Sequence, residues 1–140
     1  MSAFGVTVSA AAKAVYEEMN EKKHRYIVFY VNDKWVIEAE TTGQRSATYA
    51  DLLEKLRQNY ANECRCLVFD YAYTKDGDAR EKRVLIKWSP KQANMKQQMT
   101  YESSFSTLRK ELAAISAEIV ASSVEEASQE AIDARCRRQV

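Results

Sequence analysis

Residues 25–31, RYIVFYV, are rich in β-branched and aromatic side chains at consecutive positions. Side chains on a strand alternate between its faces, so a run that is apolar on both belongs to a central strand covered from two sides. A second run, KWVIEAE at 34–40, follows across Asn32-Asp33, residue types suited to a tight turn, and the two read as a hairpin. A sheet covered on both faces needs helices above and below it. The rest of the chain supplies them.

Ser9 predicts the cap of a first helix over about 10–20, with Ala11, Val15 and Met19 sharing a face. After a turn marked by Gly43, Thr48 predicts the cap of a second helix that runs to Leu56 or Tyr60 and buries Leu52, Leu53 and Leu56. ECRCLVFDYAYT (63–74) and KRVLIKW (82–88) form a second strand pair, joined by the polar loop KDGDARE, whose Asp76-Gly77 is a turn signal. A long helix then opens with Ser89 as cap, Pro90 at its first position and Gln92 at the capping-box position, and runs to about Ala113. AEIVAS (117–122) predicts a fifth strand, and a last helix, acidic first and basic last, suits the helix dipole. The reading is a single domain over 1–140 of α/β (α+β) class, with a five-stranded, mixed, mainly antiparallel sheet flanked by four or five helices.

A chain of 140 residues suffices for one core. Lys plus Arg number 21 against 20 Asp plus Glu, so there is no global field to attract nucleic acid, and no nucleic-acid partner is expected. Charge must act locally. The three cysteines, Cys64, Cys66 and Cys136, are odd in number, so reduced thiols are expected rather than a disulfide framework. No run approaches the roughly 20 apolar residues of a membrane span, and the first residues lack the basic start and apolar block of a secretory signal. The expectation is a cytoplasmic, non-transmembrane monomer.

No catalytic constellation, metal site or cofactor site is legible. His24, the single histidine, sits in a basic helix-to-strand junction, EKKHRY, and reads as a surface residue rather than a general base. The Cys-x-Cys pair lacks the second ligand pair of a zinc site, and Gly5, Gly43 and Gly77 are too far apart for a phosphate loop. KKHR (22–25) reads as a solvated helix end rather than an import signal.

The long helix carries the functional signal. At about 100° per residue, Tyr101, Phe105, Leu108 and Leu112 fall in one stripe that packs on the sheet, while Met99 lies about 120° from Phe105 and Lys96 about 180°. Met95, Lys96 and Met99 then form an outward surface, and a flexible thioether beside a cation suits a protein cleft. The alternative is a helix bent near Ser103-Ser104, which would rotate both methionines into the core.

FGVTVS, KKHRYIVF, ATYADLLEKL, CRCLVFDYAYTKDG, RVLIKWSP and MKQQMTYESS followed by LRKEL occur in an order that resembles the actin-depolymerising factor and cofilin family over nearly the whole chain. The resemblance implies an ADF-homology sandwich without enzymatic activity. It also implies binding to actin monomers and filaments with preference for the ADP state, altered filament twist, severing, depolymerisation and turnover. Matched residue by residue, the monomer-type surface comprises Gly5, Val6, Lys96, Gln98, Met99, Ser103 and Ser104, and the filament-type surface Arg80, Lys82, Arg135 and Arg138. Arginine forks suit carboxylates on actin.

Two departures qualify the match. Relatives usually carry a second basic residue where this chain has Gln98, which implies weaker monomer or phosphoinositide binding. Many have a regulatory serine just before Gly-Val, where this chain has Phe4, leaving Ser2 as the substitute phosphorylation candidate. Two alternatives stay open. One is a mainly monomer-binding regulator with weak severing, motivated by Gln98 and a short loop at Gly77. The other is a phosphoinositide-responsive membrane-surface module using Lys96, Arg109 and Lys110.

Overall fold

The structure, a computed structural model, describes residues 5–138; Ser2 and Phe4, and with them the phosphorylation reading, lie outside the described residues. The elements in order are β1 (Thr7–Val8), α1 (Ala10–Glu17, tightening into a 3-10 turn at Glu18–Glu21), β2 (Tyr26–Val31), β3 (Val36–Gly43), α2 (Tyr49–Asn59), β4 (Arg65–Lys75), β5 (Asp78–Trp88), α3 (Met95–Glu111), β6 (Ala117–Ala121) and α4 (Gln129–Arg138). The sheet order is β1-β3-β2-β4-β5-β6, with β1–β3 and β5–β6 parallel and the other pairs antiparallel.

β2 is indeed central and covered on both faces. Val28, with Leu67, Phe69, Val84, Ile86 and Trp88 of its neighbours, packs under α2 and α4. Ile27 and Phe29, with Val68 and Leu85, pack under α1 and α3. The sheet has six strands rather than five. The addition is β1, whose Thr7 and Val8 stand opposite Val36 and Ile37; two residues are too short for any periodicity, and only docking against β3 makes them a strand.

Helix caps follow the sequence at two of three helices. Ser9 Oγ accepts from the Ala12 N–H, and Thr48 with Asp51 forms a complete capping box. The buried face of α1 is Ala12, Tyr16 and Met19 rather than Ala11, Val15 and Met19, because the Tyr16 ring turns inward and its hydroxyl donates to the Ala113 carbonyl. α3 starts five residues later than predicted. The Ser89 N–H is taken by the Ala121 carbonyl in the β5–β6 ladder, and Pro90 to Ala93 forms a turn. Asn94 is the real cap, its side chain accepting from the Gln97 N–H.

The expected loop at 75–81 is mostly strand. β4 and β5 stay paired as far as Lys75 and Asp78, leaving only Asp76 and Gly77 to turn, both at positive φ (54° and 81°). Such a turn matches the right-handed twist of the strands, so pairing runs out to the tip. All three cysteines are free and buried, and burial pushes the Cys66 thiol up to about 12.

Candidate functional site

α3 is held to the sheet along one face and bare on the other. Tyr101, Ser104, Phe105 and Leu108 are buried, and the Val31 N–H donates to the Tyr101 hydroxyl (2.9 Å), tying the helix to the end of β2. The bend at Ser103-Ser104 does not occur; α3 is continuous from Met95 to Glu111. Met95 and Met99 are therefore outward, 68% and 67% exposed. Lys96 is exposed between them, with no hydrogen-bond or ion-pair partner among the described residues.

The other residues assigned to this surface separate. Gly5 is exposed, but the Val6 side chain is buried in the core. The Thr107 hydroxyl donates to the Val6 carbonyl (3.3 Å), which fastens the N-terminal segment along α3. Ser103 is half-buried, and Ser104 is fully buried beside Cys66, so it faces the sheet and not the open surface. The reason is angular, since Ser104 lies three residues after Tyr101 and four before Leu108, within the inward stripe. Gln98 is half-buried, donating its side-chain amide to the Ala93 carbonyl (2.8 Å) at the turn before the helix.

A second cluster forms where α4 packs on the β4–β5 hairpin. Arg80 and Lys82 stand opposite Tyr73 and Tyr71, on the face that α4 covers. Lys82 Nζ donates to the Cys136 carbonyl (2.9 Å) at the end of α4. Arg137, which the sequence reading did not single out, lies over the Tyr73 ring (5.3 Å), donates to the Thr74 carbonyl (2.8 Å) and pairs with Asp133. Its one legible signal is the i,i+4 spacing to Asp133. The bond from Arg137, helped by one from the Tyr71 hydroxyl, holds the Asp133 carboxyl below its usual range against slight burial. Arg135 turns the other way, to the Glu118 carbonyl of β6 (2.9 Å). Arg80 and Arg138 are exposed, with no polar side-chain partner among the described residues.

The structure does not gather the phosphoinositide candidates. Lys96 and Lys110 lie about 20 Å apart along the helix axis. Arg109 points elsewhere, stacked on Phe105 (4.6 Å) and paired with Glu118 (2.8 Å). KKHR is likewise dispersed, with Lys22 and Arg25 bound to Glu81 and His24 to Glu18. No group of three or more metal-ligating side chains exists among the described residues, and no described helix is long and apolar enough to cross a membrane.

Residues 5–137 match the family described as cofilin/tropomyosin-type actin-binding protein. The chain is similar to actophorin of Acanthamoeba castellanii, 31% identical over 138 residues covering 97% of this chain and 98% of the relative. It is also similar to cofilin of Schizosaccharomyces pombe, 33% identical over 137 residues covering 94% and 95%. In three dimensions it superposes on the crystal structure of Streptomyces griseoflavus cofilin with a TM-score of 0.86 at 32% identity, covering 97% of this chain and all of that one. A six-stranded mixed sheet with helices on both faces, matched end to end by these relatives, places the chain in the cofilin and actin-depolymerising-factor family of actin-binding proteins.

Proposed function

We propose that this protein binds actin monomers and filaments in the cytoplasm and promotes filament severing, depolymerisation and turnover. One observation carries the reading: Met95 and Met99 are exposed around an unpaired Lys96 on a helix whose opposite face closes the core. Apolar burial dominates the energetics there. Full burial of a methionine side chain is worth about 1.5–3 kcal/mol, whereas an exposed lysine-carboxylate pair contributes less than about 1 kcal/mol. Met99 is then the anchor and Lys96 sets register and attraction, with Gly5 at the edge of the same contact.

Filament binding adds a second surface, the tip of the β4–β5 hairpin and the end of α4, with Arg80, Lys82, Arg137 and Arg138 meeting acidic side chains on a neighbouring subunit. A clamp on two subunits that fits one filament geometry better than another shifts the filament toward that geometry by its differential affinity. Altered twist and severing follow from that strain. The mainly monomer-binding alternative keeps its two motivations, Gln98 and the short turn at Gly77, where only Asp76 and Gly77 separate the paired strands.

High-speed co-sedimentation with ADP-actin filaments, paired with microscopy of tethered filaments, tests the proposal. The protein is expected to pellet with filaments at micromolar concentration and to raise the frequency of breaks. A protein that stays in the supernatant and also fails to bind monomeric actin overturns it.

A further inference from the structure

The exposed large hydrophobic side chains among the described residues are Trp35, Met95, Met99 and Val120, and all four lie around the first two turns of α3. Met95 and Met99 form the crest. On one flank a shallow groove floored by Gln98 leads to Val120. On the other a groove of about 460 Å³ runs from Lys96, Gln97 and Thr100 to Trp35 on the β2–β3 turn.

Trp35 is there against the local chemistry of the backbone. The Asn32 side-chain oxygen accepts from the Lys34 and Val36 N–H groups, the Trp35 N–H closes the turn on the Asn32 carbonyl, and Trp35 itself sits at φ 62°. A three-residue hairpin of this kind ends in a left-handed residue, a place where glycine is least strained and a bulky side chain most. The turn thus gains nothing from an indole. Nor do the described residues use it: Trp35 is 47% exposed, its indole stacks on no other ring or cation, and its ring N–H has no hydrogen-bond partner among them. An unfavourable backbone position held by an exposed aromatic is a functional signal, and aromatic anchors with a polar edge are what buried interfaces favour.

We infer that Trp35 is a second anchor of the actin contact, extending the Met95–Lys96–Met99 crest across the groove so that one continuous face grips the same actin subunit. The inference rests on the proposed α3 contact. Its occupant is actin because the groove is continuous with that contact through Lys96; Asp33 and Glu63 line it beside Lys96 and Arg65, so its charge is balanced and the exposed indole rather than net charge supplies the grip.

Trp35→Gly separates binding from folding, because glycine suits the turn. The variant is expected to melt no lower than wild type and to bind monomeric ADP-actin about tenfold more weakly. In protein labelled with 5-fluorotryptophan, the exposed Trp35 resonance, assigned by its loss in the variant, is expected to shift and lose solvent sensitivity on adding actin, while buried Trp88 serves as the internal reference. Unchanged affinity in Trp35→Gly, with an unmoved Trp35 resonance, overturns the inference. If Lys96→Ala with Met99→Ala still abolishes binding in the same assay, the α3 contact survives that failure. If that double variant also binds normally, both readings fall. Concentration-dependent self-association that Trp35→Gly removes, with actin affinity unchanged, would assign the indole to a second copy and overturn it too.

Discussion

The crest of α3 and the junction of α4 with the β4–β5 hairpin present cations in opposite ways. On α3 the helix is fixed from behind by Tyr101, Phe105 and Leu108, so Met95, Lys96 and Met99 carry no structural duty. At the hairpin the basic side chains themselves hold α4 in place: Lys82 caps the Cys136 carbonyl, and Arg137 reaches Thr74 and Tyr73. A residue free of internal bonds can be given wholly to a partner. A residue already bonded cannot be removed without loosening the fold.

The largest effect expected is on α3. Lys96→Ala with Met99→Ala should weaken actin binding by about 3 kcal/mol, roughly a hundredfold, as central contacts do when truncated. Melting temperature should stay within about 2 °C, since surface substitutions of this kind cost little stability. A marked fall in melting temperature, read by circular dichroism, would break the contrast by showing the crest to be structural.

A smaller, mixed effect is expected at the junction. Lys82→Ala with Arg137→Ala should lower the melting temperature measurably, because hydrogen bonds from charged groups are lost, and should also weaken filament co-sedimentation. Arg80→Ala with Arg138→Ala should weaken filament co-sedimentation alone. Equal melting temperatures for the two pairs would erase the distinction between bonded and free cations.

The smallest effect is a pH dependence. The Asp133 carboxyl is held low in the folded state by Arg137, so its contribution is present above the ordinary aspartate pKa and is lost as pH falls through the depressed value. Amide exchange followed by NMR should show α4 losing protection below about pH 4, the ordinary aspartate range, before the inward face of α3 does. Simultaneous loss in both helices would mean that the ion pair does not govern the docking.

The sheet was legible because burial on two faces leaves a pattern that few other arrangements share: RYIVFYV had to be central. The inward stripe of α3 was legible from helical angle, and the exposure of Met95 and Met99 followed once the helix proved straight. The cap of α3 was misplaced because Ser89 and Pro90 have the right chemistry for a helix start, yet the ladder to β6 takes the Ser89 N–H first. Val6 and Ser104 were carried over by matched position, which says nothing about the direction a side chain points. Arg137 was passed over because its partners, Tyr73 and Thr74, are distant in sequence.

Local rules, those of period, capping and turn chemistry, act over a few residues, and the order of amino acids alone settled them here: two-sided strands, the first two helix caps and the Asp76-Gly77 turn. Which strand borders which, that Thr7 and Val8 become a sheet edge, that Arg137 clasps a hairpin and that Trp35 faces the flank of α3 depended on contacts between remote segments. Such contacts form only when the whole chain has closed on its core, so no window of sequence contains them.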